Sequence, residues 1–378
     1  MRRELERGFT LVEMLLVIGI LGLVLAASSD MFVKLLNEYK QQSKIAETNV
    51  EGIIGLELMR QDIERAGYGL PWVMGGVTYN EAANAPGNGY NDSTANPPRP
   101  IVSGNDVSEN GTDFIDSDYL VIKATNISRN ASAQRWTHLT TNGTKVWDVP
   151  AGMPSDNPAT TDNVIVLSPG SVVADERTLL QMGIFDSAHS VSWRPAAEDP
   201  QPRFVYGISN SAPRMPFNRA DYYIMSSSCS NPPCVNVPSR CAPNTGVLVK
   251  STISHANGNL ADHLPLLDCV ANMQVVFRLD TNADGAVDLP TDDISTLSAE
   301  QIRTQVREVR VYILAHEGQT DNSFTYRNSS SMAGCTSPTQ IYVGDPAIGM
   351  GGCFDIGTNV HYRWKVYVIA VYPKNMRQ

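Results

Sequence analysis

With 378 residues, the chain can bury a sizeable core in one to three domains and is too long for a small disulfide-stapled scaffold. Hydrophobic residues at 42% and charged residues at 18% exclude both a highly charged disordered chain and a multi-span membrane protein. A formal charge of −10 argues against a general nucleic-acid binder, because neutralising phosphates needs a basic surface.

Arg2, Arg3 and Arg7 open the chain, and from Phe9 to Ala27 the residues are almost all apolar. Those 19 residues approach the ~20 that span a bilayer as a helix. The arginines mark a cytoplasmic end, so the remainder is expected on the far side. Glu13 breaks the apolar run. A carboxylate deep in hydrocarbon costs on the order of 3 kcal/mol, and such a residue is by default functional and partnered. No basic residue lies one helical turn from it within the segment. A cleaved signal peptide ending near Ala26, Ala27 and Ser28 accounts for the apolar run but not for Glu13.

Gly8-Phe9-Thr10-Leu11-Val12-Glu13 resembles the prepilin signature of type IV pilins and type II secretion pseudopilins. The resemblance implies that a membrane prepilin peptidase cuts between Gly8 and Phe9 and methylates the new N-terminal Phe9. Glu13 then becomes the fifth residue, which the family keeps acidic. The freed α-amine, which ordinarily titrates near ~8, is largely cationic, and methylation keeps its charge. Glu13 of one subunit can pair with the Phe9 amine of a neighbour, so that two membrane-buried charges are satisfied together and stagger is set. Four segments are expected: a cleaved leader (1–8), a transmembrane assembly helix (9–29), its amphipathic continuation (30–66) and an exported head (67–378).

Beyond Ala27 the helical spacing persists in Phe32, Leu35, Leu36 and Tyr39, then in Leu56, Met59, Ile63 and Ala66. No proline interrupts Phe9 to Leu70, and Gly67, Gly69 and Pro71 form a stop. Major pilins usually bend this helix with proline at the twenty-second mature position; Asp30 stands there and points to a minor subunit. Residues 75–113 read as a surface excursion rich in Gly, Asn and Pro. Strands are expected at Tyr119–Lys123, Val164–Leu167, Tyr222–Met225, Gly246–Val249, Met273–Leu279, Val309–Ala315 and Tyr362–Tyr372. Helix first and strands later predict an α+β fold, a long N-terminal helix packed on an antiparallel sheet with long loops. Arg60–Tyr68, Asp118–Ile122 and Val309–Leu314 are similar to segments of PilW-like minor pilins.

Asp280, Asn282, Asp284, Gly285 and Asp288 have the spacing of a calcium loop. Oxygen ligands at positions 1, 3, 5 and 9, with glycine at 6, suit a hard cation, and the Ala286 carbonyl serves position 7. Thr291 replaces the glutamate of an EF-hand, and Asp292 or Asp293 is available for the missing carboxylate. The preceding segment reads as a strand, so a structural calcium site outside the EF-hand fold is expected; an ion-free Asn/Asp/Gly turn is the alternative.

Six cysteines allow fifteen pairings, and export favours oxidation. Candidate pairs are Cys229–Cys234, Cys241–Cys269 and Cys335–Cys353. Zinc is disfavoured, because no CxxC occurs and no histidine stands at ligand spacing. No HExxH, GxSxG or P-loop occurs, so no enzyme is expected. His255 and His263 flank a polar loop and read as solvated. The resemblance thus implies a structural minor pilin of an inner membrane and its pilus. Its partners would be other minor and major pilins, the prepilin peptidase and the inner-membrane assembly platform. A type II secretion pseudopilin and a membrane-tethered calcium-dependent adhesin are the alternatives.

Overall fold

The computed structural model describes residues 9–107, 117–148, 153, 155–170, 176–198, 200–226, 234–328 and 334–376. Helix α1, Leu11–Glu64, has 54 residues and so a length of roughly 81 Å. Thr10 caps its start, and at its end the Arg65 N–H donates to the Gln61 carbonyl before Gly67 turns the chain at φ 83°. The Lys374 N–H donates to the Glu64 carbonyl, which ties the end of the helix to the C-terminal segment.

The strands in chain order are β1 Ile101–Val107, β2 Ser117–Ala124, β3 Trp136–Thr140, β4 Gly143–Thr144, β5 Asn163–Ser168, β6 Thr178–Ile184, β7 Arg203–Ser209, β8 Asn218–Met225, β9 Gly246–Ile253, β10 Leu260–Leu279, β11 Leu289–Thr291, β12 Val306–Glu317, β13 Gln340–Asp345, β14 Met350–Asp355 and β15 Arg363–Val371. Two short helices, α2 Ser187–Ser192 and α3 Ala299–Gln305, lie among them. The main sheet runs β1-β2-β8-β9-β10-β12-β15, with β11 also on β10, and every pairing in it is antiparallel. A five-stranded antiparallel sheet, β4-β3-β7-β5-β6, and the hairpin β13-β14 complete the head. The architecture is α+β.

The second part of α1 packs on β10, β12 and β15. Leu56, Met59 and Ile63 enter the main core with Leu120, Ile122, Val275 and Ile313. Two glycines allow this approach. A Cβ on Gly55 would sit 1.9 Å from the Leu266 carbonyl oxygen, and one on Gly52 2.8 Å from Leu267 Cδ1. They carry the helix close to β10 rather than merely lowering its propensity.

Residues 75–107, the described part of the 75–113 stretch, depart from the surface excursion read in the sequence. They contain β1 and a 3-10 turn at Gly87–Tyr90, and Tyr79, Glu81 and Ala82 are buried. The reason is electrostatic. Lys123 on β2 and Arg219 on β8 are fully buried, and this segment covers them with carboxylates. Lys123 Nζ donates to Glu81 at 2.8 Å and to Asp92 at 2.7 Å, and Arg219 donates to Glu81 at 2.9 Å and to Asp221 at 2.7 Å. Arg99 completes the set on Asp92, so three cations meet three anions. Buried charges persist only when paired in this way.

Disulfides join Cys241 to Cys269, with Cα atoms 4.9 Å apart, and Cys335 to Cys353, with Cα atoms 5.7 Å apart. Cys229 lies outside the described residues, and with it the expected Cys229–Cys234 bridge.

Candidate assembly helix and cation loop

The first part of α1 packs against nothing among the described residues. Phe9 is 81% exposed, and Leu11, Leu15, Ile18, Leu21 and Leu25 are likewise exposed. Residues Leu11–Ala46 are long and apolar enough to cross a membrane. Gly8 lies outside the described residues; Phe9 and Thr10 immediately precede the helix.

Among the described residues, Glu13 finds its partner at its own helix start. The Thr10 N–H donates to Glu13 Oε2 at 2.9 Å, the Thr10 hydroxyl donates to the same oxygen at 3.0 Å, and the Glu13 N–H donates to Thr10 Oγ1 at 3.3 Å. This reciprocal capping box satisfies two donors of the first turn. It also leaves the carboxylate at the exposed N-terminal end of the helix, close in sequence to Phe9 and far from Lys34, the next cation along the chain.

Asp62, on the same helix, is buried and answered by the fold. It accepts from the Tyr222 hydroxyl and from Lys250 Nζ at 2.5 Å, and Lys250 also donates to the Ile127 carbonyl at 2.9 Å. This set was not legible in the sequence, since Tyr222 and Lys250 lie far along the chain on β8 and β9.

The Asp280–Asp288 loop joins β10 to β11. Positive φ at Ala283 (61°) and Gly285 (96°) folds it back on itself. Asp280 is buried, and its carboxylate accepts from the Asp284 N–H at 3.2 Å and the Gly285 N–H at 3.0 Å. Asn282 Oδ1 accepts from the Asp284 N–H at 3.0 Å, and Asp284 Oδ1 accepts from the Ala286 N–H at 2.7 Å. Asp288 accepts from the Thr281 N–H and hydroxyl. The carboxylates are thus oriented by backbone donors. A guanidinium is also present: Arg307 from β12 donates through Nε to Asp280 Oδ2 at 2.8 Å and through Nη2 as well. These bonds hold the Asp280 carboxyl below its ordinary pKa, with Arg307 the leading cause.

The two reserve ligands differ in their surroundings. Asp292 lines a recess with Asn105, Asp106, Asn272 and Gln274. Asp293 accepts from the Ser295 N–H at 2.8 Å and so builds its own turn. Among the described residues, the group whose metal-type ligand atoms all come within 4.8 Å of one another is Cys241, Cys269 and His316, and there both sulfurs are spent in a disulfide.

The two histidines read as solvated are not. His255 is buried, its Nδ1 accepts from the Arg214 N–H at 3.2 Å, and its Nε2 meets Asn218 Oδ1 at 3.1 Å. Burial pushes its pKa down to about 4. His263 is half-buried, with Nδ1 2.5 Å from the Ser251 hydroxyl and 3.1 Å from that of Tyr223. Arg214, Asn218 and Tyr223, from β8 and the segment before it, and Ser251 from β9 close over these side chains.

Comparison with known proteins adds to this geometry at both ends of the chain. Residues 5–29 match the family model of the prokaryotic N-terminal methylation motif. Residues 221–372 match that of type IV pilus-assembly protein W. The second match runs from within β8 to just beyond β15 and holds both disulfides and the Asp280 loop. No curated protein and no solved structure matches the chain. Both matched families are structural, and a single apolar N-terminal helix suits an inner-membrane anchor. An unpacked helix that opens with a methylation motif, joined to strands that match assembly protein W, supports a PilW-like type IV pilin.

Proposed function

We propose that the chain is a non-enzymatic minor subunit of a type IV pilus, cut between Gly8 and Phe9, methylated at Phe9 and used at the tip or in initiation. The observation that carries this reading is Glu13: an acid on an apolar, unpacked stretch of helix, held among the described residues by Thr10 beside the chain end that cleavage would create. A neighbour's Phe9 amine is the cation that would complete it. The head supports a minor position, since a second, five-stranded sheet beside the main one makes a bulky unit to repeat along a filament. The head would face the periplasm before assembly and the cell surface afterwards, in contact with other minor and major pilins. Mass spectrometry of the native N-terminus tests the processing step. A chain beginning with methylated Phe9 is expected, and one beginning at Met1 or after Ser28 would overturn the reading.

We also propose that the Asp280–Asp288 loop holds a structural calcium ion through Asp280, Asn282, Asp284, the Ala286 carbonyl and Asp288. The donor set suits a hard cation, and backbone N–H groups already orient three of its side chains. Arg307 competes for Asp280, so binding is expected to be modest and to strengthen in Arg307→Gln. Calorimetry on chelated full-length protein in detergent, titrated with calcium, should show heat and a rise in melting temperature. Both should vanish in Asp284→Ala. Absence of heat and of any melting shift in the unaltered chain would remove the ion.

A further inference from the structure

The main sheet has two edges, and they are built differently. At one edge β1 is defended. Its register slips between Gly104 and Val107, Asp106 takes φ 45°, and the Tyr90 side chain lies where a Cβ on Gly104 would be. Bulges and twists of this kind stop a strand from accepting another. At the other edge β15 is bare. It pairs with β12 in unbroken register from Arg363 to Val371, and among the described residues no strand pairs with its far side. Nor, among the described residues, does any backbone–backbone hydrogen bond outside that ladder involve Lys365, Val366 or residues 368–371. In an antiparallel pair every second residue turns its N–H and C=O away from the partner, so half of the β15 backbone groups face away from β12.

The side chains favour an added strand too. Val366, Tyr367, Val368, Ile369 and Val371 are strong strand formers. Val368 is 57% exposed, Tyr372 67%, and Ala370 is exposed between them. The cations nearby are spent: Arg363 on Asp321, Lys365 on Glu317 and Lys374 on Glu64. No proline and no bulge interrupts the strand.

We propose that β15 is a docking edge that takes an extended strand from a different protein chain, running antiparallel to it, with apolar residues at alternate positions. Main-chain groups supply the affinity, and Val368, Ala370 and Tyr372 supply selectivity. The inference rests on reading the chain as a membrane-anchored pilin, because that reading excludes a second copy. Two β15 strands paired antiparallel are related by a twofold axis normal to the sheet, which reverses every direction in the sheet plane. Helix α1 lies along the face of that sheet across β10, β12 and β15. The two α1 helices would then leave in opposite directions and could not enter one membrane. Pairing β15 with the β1 of a second copy meets the bulge at Asp106.

The test uses the full chain in native membranes, with a photoreactive benzophenone amino acid at Val368, at Ala370, or at Val146 as an exposed control. Adducts from Val368 and Ala370 should fall on one segment of one partner, two residues apart and in reversed order. The Val146 chain should give no such ladder. Proline at 367 and at 368 completes the test, since one of these neighbours points its N–H outward. One variant should keep the melting temperature yet lose the Ala370 adduct. Scattered adducts, adducts to a second copy, no adduct, or an intact ladder in the fold-retaining proline variant would each overturn the proposal. Immunoblots of sheared filaments score the subunit's incorporation separately. Incorporation without the ladder refutes the edge alone, and a ladder without incorporation refutes the proposed pilus role alone.

Discussion

Glu13 and Asp62 stand on the same helix, and the chain treats them oppositely. Asp62 is buried by the fold and answered from inside it by Tyr222 and Lys250. Glu13 is left on an unpacked surface where, among the described residues, the capping Thr10 is its partner. A helix whose second part is fully satisfied and whose first part is apolar, exposed and acidic at its start is complete as a fold and incomplete as an assembly. The difference divides the expected effects of mutation. Changes near Glu13 should leave the monomer stable and abolish its use, whereas changes near Asp62 should do the reverse.

The largest effect is expected from Glu13→Gln. It keeps shape and removes charge, so the head's melting temperature should be unchanged while the subunit disappears from sheared filaments. Normal incorporation of this variant would break the comparison. Asp62→Ala should unfold the head instead. Removing one member of a buried ion pair leaves the other charge unanswered and costs about 3–5 kcal/mol. Lys250→Met in the same chain should restore part of that loss, because the stranded cation is then gone; a urea series on the wild type and the two variants would show it.

Gly55→Ala comes next. The added methyl would overlap the Leu266 carbonyl, which belongs to backbone and cannot swing aside. Overpacking of this kind costs typically about 1–3 kcal/mol. Gly52→Ala meets only the end of a leucine side chain and should cost less, so the order of the two melting temperatures tests whether α1 docks on β10 as described. An equal, small effect at both sites would show that the helix sits further from the sheet.

What could be read in the sequence follows from range. The Gly8–Glu13 signature, the helical period through Ile63 and the strands around Val121, Val166, Ile224 and Val311 are local patterns, and the structure places α1, β2, β5, β8 and β12 on them. Glu81, Lys123 and Arg219 meet across separations of 42 and 138 residues, which no local pattern reports. That is why residues 75–113 looked like surface. Gly52 and Gly55 carried a signal, two small residues one turn apart on the buried face, but propensity alone counts them as a cost. His255 and His263 misled for the same reason: a polar sequence neighbourhood says little when Arg214, Asn218 and Tyr223 close over it from β8 and the segment before it.

Asp118 supplies the smallest expected effect and the sharpest extension of the comparison, being a buried acid with no cation at all among its described partners. Both its oxygens accept backbone N–H groups, from Asp106 at 3.0 Å and Val275 at 2.6 Å. Burial nonetheless pushes its pKa up to about 7, and the Asp106 and Asp292 carboxylates push the same way. Its folded pKa therefore lies above the unfolded value near ~3.9. The folded state holds the extra proton between these values, so the contribution is fully present below the lower one and is lost as pH rises through about 7. His255 and His316, both pushed down to about 4 by burial, act in the opposite sense and cost stability as pH falls below ~6.5. The wild-type curve mixes these terms, but its difference from Asp118→Asn does not. The amide adds a constant cost, because it offers one acceptor where two N–H groups arrive, and it does not titrate. Urea midpoints at pH 8 and pH 5 should show the wild type gaining on the variant by on the order of 1–2 kcal/mol toward the lower pH. A difference independent of pH would mean that Asp118 is ionised throughout, and that its two backbone donors suffice where Asp62 needs Lys250.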